Sequence, residues 1–108
     1  MKLYLIRPRS NVDAIAEYNL DDKKVTVLKG SRVSNKIAYS EKFRGAKSVE
    51  KARANAVEAN IVVKDMTFKS PSTAANFVTG ASTNGLSAWK NKEGKTLKSI
   101  LTEMEGTQ

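Results

Sequence analysis

Ser70-Pro71 followed by Gly80 constrains this chain more than any other stretch. Serine supplies an oxygen for a first-turn N–H, proline is preset for the first helical position, and glycine takes the left-handed conformation that closes a helix. Between them Ala74, Ala75, Phe77 and Val78 form one apolar face. The chain is thus committed to a short helix with defined ends, and the patterning on either side is equally short.

Upstream, Leu3 and Leu5 alternate with Tyr4 and Ile6 until Arg7-Pro8-Arg9, because proline cannot donate to a ladder. Asp13 to Leu20 has period two, with Ala14, Ala16, Tyr18 and Leu20 on one face. Asp21-Asp22-Lys23 marks a turn, and Val25 and Val27, with Leu28, point inward before Gly30. Together these predict an antiparallel hairpin. Ser31 to Gly45 reads as polar and irregular, anchored by Tyr39 and Phe43. From Ala46 the spacing of Val49, Ala52, Ala56 and Val57 predicts a helix, with Ser48 as its cap and Asn60 as its stop.

Downstream, Ile61-Val62-Val63 and Met66-Thr67-Phe68 are β-prone, forming a strand or a second hairpin around Lys64-Asp65. Asn84-Gly85 signals a turn before the short run Leu86 to Trp89, which reads as a strand. Glu93-Gly94 is another turn, and Thr96 caps a last helix carrying Leu97, Ile100, Leu101 and Met104. The expected architecture is a single α+β domain over residues 1–108, with a small, mostly antiparallel sheet and about three helices.

Composition narrows the chemistry. With no Cys and no His among 108 residues, disulfides, thiolate or imidazole zinc sites, cysteine nucleophiles and a histidine base are excluded. No cofactor is implied. The opening Met-Lys-Leu-Tyr-Leu-Ile is too short for a signal peptide, and no apolar run reaches the ~20 residues a spanning helix needs. A cytoplasmic protein is expected.

The net charge of +8 is concentrated between residues 23 and 53, where ten basic residues face only Glu41 and Glu50. Such a block attracts polyanions through counterion release. Lys42, Arg44, Lys47, Lys51 and Arg53 are candidates for phosphate contact, since positions 44, 47 and 51 share a helical stripe. Ser70 and Ser72 offer hydroxyls and N–H groups at a helix start. Asn84, an adenine reader by chemistry, has Lys69, Lys90, Lys92 and Lys95 on the surrounding turns. Glu93-Gly94-Lys95 with Asp65 formally matches a nuclease pattern, but it reads as a turn and not as a rigid strand, so no enzyme is expected. Asp13 and Glu17 read as a solvated strand edge. Trp89 reads as core, with a site role as the alternative.

Phe68-Lys69-Ser70-Pro71-Ser72-Thr73-Ala74-Ala75, then Gly80, Asn84-Gly85, Trp89-Lys90 and Gly94-Lys95-Thr96-Leu97 resemble, in order, a domain of unknown function. That domain occurs C-terminal to GIY-YIG-type endonucleases and in other bacterial restriction-associated proteins. Val27-Leu28-Lys29-Gly30-Ser31 extends the resemblance backwards, so that it covers about Ala14 to Leu101. The series is also similar to the restriction-enzyme adenine-methylase-associated (RAMA) domain. The resemblance implies a non-enzymatic module that binds nucleic acid, DNA before RNA, in restriction, modification or phage defence. The alternative is a small adaptor or inhibitor whose basic face binds an acidic protein. A membrane partner ranks below both, because the basic helix lacks a large apolar face.

Overall fold

The computed structural model describes residues 1–40 and 43–106. Strand β1 (Lys2–Arg7) and strand β2 (Val12–Tyr18) are joined by a 3-10 turn over Pro8–Ser10. Asn11 completes that turn at φ 60, a left-handed conformation asparagine tolerates. Leu3 lies opposite Ala16 and Leu5 opposite Ala14, which puts all four side chains in the core. β2 stops at Tyr18, two residues short of the expected end. Asn19 Oδ1 accepts the Asp21 N–H at 2.8 Å and starts a turn, leaving Leu20 exposed.

The chain returns as β3 (Val25–Val27), antiparallel to β2, with Val25 and Val27 fully buried. The fourth strand comes from far away in sequence. β6 (Met66–Phe68) pairs antiparallel with β3 and completes the order β1-β2-β3-β6. Ile61–Val62 does not pair with it. Instead β5 (Ile61–Val62) folds back on β4 (Val57–Glu58), through a turn in which Ala59 and Asn60 both have positive φ, as tight hairpins require. Val57 therefore belongs to a strand, and Asn60 serves a hairpin turn and not a helix stop. Lys64-Asp65 instead bridges to β3's end, where Asp65 Oδ1 accepts the Lys29 N–H at 2.8 Å.

The described residues between Ser31 and Gly45 are irregular, but they are more deeply embedded than their polarity suggests. Asp13 and Arg32 exchange backbone hydrogen bonds of 3.0 and 2.8 Å, and Val62 donates to Ser31 O. The stretch thereby ties the two sheets together. Ser31 Oγ accepts the Ile15 N–H, and Val33 is fully buried. Phe43 anchors as expected, with only 5% exposure; Tyr39, at 64%, does not. It lies on the surface and its hydroxyl donates to Glu50, which raises its pKa.

Helix α1 (Ala46–Ala56) rests on a small separate core of Phe43, Ala46 and Val49, with Ile37 packed against it. Ser48 lies inside the helix, and Gly45 precedes it without a side-chain cap. Helix α2 (Pro71–Thr79) follows its sequence signals closely. Ser70 Oγ accepts the Thr73 N–H at 3.1 Å, and Gly80 closes the helix at φ 72. Ala74, Ala75, Phe77 and Val78 are fully buried against the large sheet, where Phe77 meets Phe68 with ring centroids 4.9 Å apart.

The run expected as a strand at Leu86 is a one-turn helix, α3 (Gly85–Ala88), capped by Asn84. The side chain of Asn84 satisfies the Leu86 N–H and so starts a helix where the sequence signals a turn. Among the described residues there are thus four helices, the last being α4 (Leu97–Gly106). Thr96 Oγ1 accepts the Ser99 N–H as its cap. The apolar stripe of α4 tapers outward, with Leu97 buried, Ile100 and Leu101 partly covered, and Met104 46% exposed.

Candidate nucleic-acid interface

The motif Ser70-Pro71-Ser72, Asn84-Gly85, Trp89 folds into one interlocked unit. Trp89 is fully buried, and its Nε1 donates to Pro71 O at 3.0 Å. Ser72 Oγ accepts the Gly85 N–H at 3.0 Å. Gly85 lies so close to α2 that a Cβ would stand 2.2 Å from Pro71 C and 2.4 Å from Ser72 N. The oxygens of Ser70, Ser72 and Asn84 are therefore each engaged by a backbone N–H. Pro71 has no N–H and that of Thr73 goes to Ser70, which leaves the helix start little to offer a phosphate.

The candidate residues fall on three separate surfaces. On the first, Arg44, Lys47 and Lys51 are all exposed along the outside of α1 and its approach. Lys42 lies outside the described residues. Arg53 turns the other way. Its Nε donates to Phe77 O at 3.0 Å, one Nη to Ser34 O at 2.9 Å, and the other to Ser34 Oγ at 2.9 Å and Val78 O at 3.2 Å. Two of those carbonyls close α2, where a cation also complements the helix dipole. Burial pushes the guanidinium down to about 10, so it stays charged at neutral pH. Arg53 fastens α1 to α2 and, with its donors so occupied, is a structural cation in place of the expected phosphate ligand.

On the second surface, Lys69, Ser70 and Ser72 line a groove of about 650 Å³ that also holds Lys23 and the apolar side chains of Leu20 and Leu86. On the third, Lys90 and Lys92 line a groove of about 570 Å³ together with Arg7. Asn84 lines neither, so the expected grouping of Asn84 with Lys90 and Lys92 does not form a single cavity. Sequence spacing missed Arg7, and it counted Lys23 in the basic block without grouping it with Lys69, because only strand pairing and chain reversal bring them to these grooves.

The residues of the nuclease-like pattern are engaged separately. Lys95 Nζ pairs with Glu103 at 2.7 Å, while Asp65 serves Lys29. Gly94 sits at φ 85 in the turn that the sequence indicates. Among the described residues, Lys95–Glu103 is the sole ion pair made by a basic side chain; the other pair joins the N-terminal ammonium to Glu17 at 3.5 Å. The chain's surplus of +8 is thus carried by cations that, among the described residues, are mostly outside close ion pairs.

A short antiparallel sheet, helices packed around it and a net charge of +8 define a small basic α+β domain. Over residues 7–101 the chain matches the model of the family described as a domain of unknown function (DUF4357), and it belongs to that family. No curated protein and no solved structure matches it.

Proposed function

We propose that this domain is a non-enzymatic nucleic-acid-binding module that takes duplex DNA in preference to RNA. The observation that carries this reading is the outer face of α1 and its approach, where Lys47 and Lys51 on the helix and Arg44 just before it are exposed and make no ion pair among the described residues. Arg53 holds the opposite side of the same helix through four hydrogen bonds, two to the end of α2 and two to Ser34. The charged face is therefore presented on a fixed support, which lowers the ordering cost of binding. The spacing suits a polyanion: Lys47 and Lys51 are about 6 Å apart along the helix axis, comparable to the separation of phosphates along one DNA strand.

The resemblance of the Ser-Pro-Ser, Asn-Gly and Trp series to domains appended to GIY-YIG-type endonucleases, and to the restriction-enzyme adenine-methylase-associated domain, supports a role in DNA restriction, modification or phage defence. That role places the protein in the cytoplasm. In the described residues no helix is long and apolar enough to cross a membrane.

Fluorescence anisotropy with a labelled duplex, titrated with salt, tests the proposal. Lys47→Ala with Lys51→Ala is expected to weaken binding to all sequences alike and to flatten the log–log salt slope by about two. A folded double variant with the parent's affinity and slope would remove α1 from the interface. Absence of DNA or RNA binding by the parent at micromolar protein and low salt would end the proposal.

A further inference from the structure

The outer edge of β1 is left partly open. Tyr4 N–H donates to Lys90 O at 2.7 Å and Lys90 N–H to Tyr4 O at 2.9 Å, so the backbone of Tyr4 points away from β2. Two residues on, Ile6 must present its N–H and C=O to the same side. Among the described residues neither takes a partner across that edge. The Ile6 side chain is 60% exposed. Beside it runs the groove of about 570 Å³, whose lining includes the cations Arg7, Lys90 and Lys92, the hydroxyl of Ser87, and no acidic residue.

We propose that this edge receives an extended acidic segment of a partner protein, which adds to β1 as a strand beyond Lys90. The segment's backbone exchanges hydrogen bonds with Ile6, which supplies register and affinity, while alternate side chains select the occupant. Carboxylates on one face of the segment meet Arg7 and Lys92, and apolar residues on the other cover Ile6. Charge favours this occupant over a second copy of the chain, since self-pairing would set Arg7, Lys90 and Lys92 against their own copies. The open peptide edge favours it over a nucleic acid, which has no backbone able to continue a β ladder. This surface is separate from the outer face of α1.

The probe is a blocked, fluorescein-labelled Glu-Val-Glu-Val-Glu-Val peptide, added to isotope-labelled full chain and followed by amide shifts and anisotropy. The Ile6 amide is expected to shift most and to gain protection from hydrogen exchange. The same peptide N-methylated at alternate residues is expected to bind at least about tenfold more weakly, since it cannot pair along one edge. Arg7→Glu with Lys92→Glu should lose a similar factor. Ile6→Pro removes the N–H without changing charge, at an edge position where proline is tolerated. The N-methylated arm uses the unaltered protein, so it decides the matter even where a variant folds poorly. The proposal is overturned by equal affinity for the N-methylated peptide, by shifts centred away from Ile6, or by no binding up to about 1 mM peptide. It is also overturned by an oligonucleotide that displaces the peptide from Ile6, or by a dimer paired through β1.

Discussion

Gly85→Ala is expected to destabilise the domain by on the order of 3 kcal/mol or more, a large share of the ~5–15 kcal/mol that holds such a domain folded. Local propensity argues the reverse. Gly85 opens a helix, its φ is not in the left-handed region, and alanine is favoured over glycine there by about 1 kcal/mol. Packing decides the sign. The new methyl group would stand 2.2 Å from Pro71 C, 2.3 Å from Pro71 O and 2.4 Å from Ser72 N. All three are backbone atoms of the first turn of α2, so no rotamer change relieves the contact. The displacement also strains the Trp89–Pro71 and Gly85–Ser72 hydrogen bonds. Urea unfolding followed by Trp89 fluorescence measures the loss. Gly94→Ala is the control: its Cβ meets nothing within 4 Å and it carries only the strain of φ 85, so a smaller loss is expected. A Gly85→Ala midpoint at or above the parent's would show that α2 and α3 can separate freely.

The same geometry explains why the most distinctive residues of the sequence say least about function. Ser70 caps α2, Pro71 offers its carbonyl to Trp89, Ser72 holds Gly85, and Asn84 caps α3. Each has an architectural role, and together they fix how α3 crosses the start of α2. Selectivity for a ligand is more naturally sought among the exposed cations, whose positions the fold sets but whose identities it does not require.

What was legible in the sequence was local. The ends of α2 followed from serine, proline and glycine chemistry, and the period of β2 from alternating alanines. The cap of α4 followed from Thr96. What was not legible depended on partners distant in the chain. Nothing near Met66 indicates that it pairs with Val27, and nothing near Lys90 indicates that it bridges to Tyr4. Asn84-Gly85 reads as a turn in the sequence because asparagine's side chain suits both a turn and a helix cap; burial of Gly85 and Trp89 against α2 selects the cap. For the candidate site, spacing alone puts Lys47 and Lys51 on one exposed face of α1, while Arg44, expected on the same stripe, lies in the turn before the helix. The role of Arg53 was not legible, because its acceptors at Ser34, Phe77 and Val78 come from elements with no periodic relation to it.

Arg53→Ala is accordingly expected to cost stability on the order of 3 kcal/mol and to change intrinsic DNA affinity little. Removal of the guanidinium leaves Ser34 O, Phe77 O and Val78 O without their charged donor, and detaches α1 from the end of α2. What then holds α1 is its small core of Phe43, Ala46 and Val49 and, at its C-terminal end, the packing of Ala52 and Ala56 on the main core, so its N-terminal turns should open locally more easily than the domain unfolds. Arg53→Lys should recover only part of the loss, because one ammonium cannot reproduce a planar fork that reaches two elements at once. Urea unfolding gives the global cost, and amide exchange along α1 gives the local one. A phosphate ligand would behave oppositely: the variant would keep its stability, lose affinity, and flatten the salt slope by about one. Below about pH 10 the guanidinium keeps its charge despite burial, so both measurements at neutral pH report the intact clasp. Unchanged exchange along α1 in Arg53→Ala would mean that its apolar contacts, from Phe43, Ala46 and Val49 to Ala52 and Ala56, hold the helix without it.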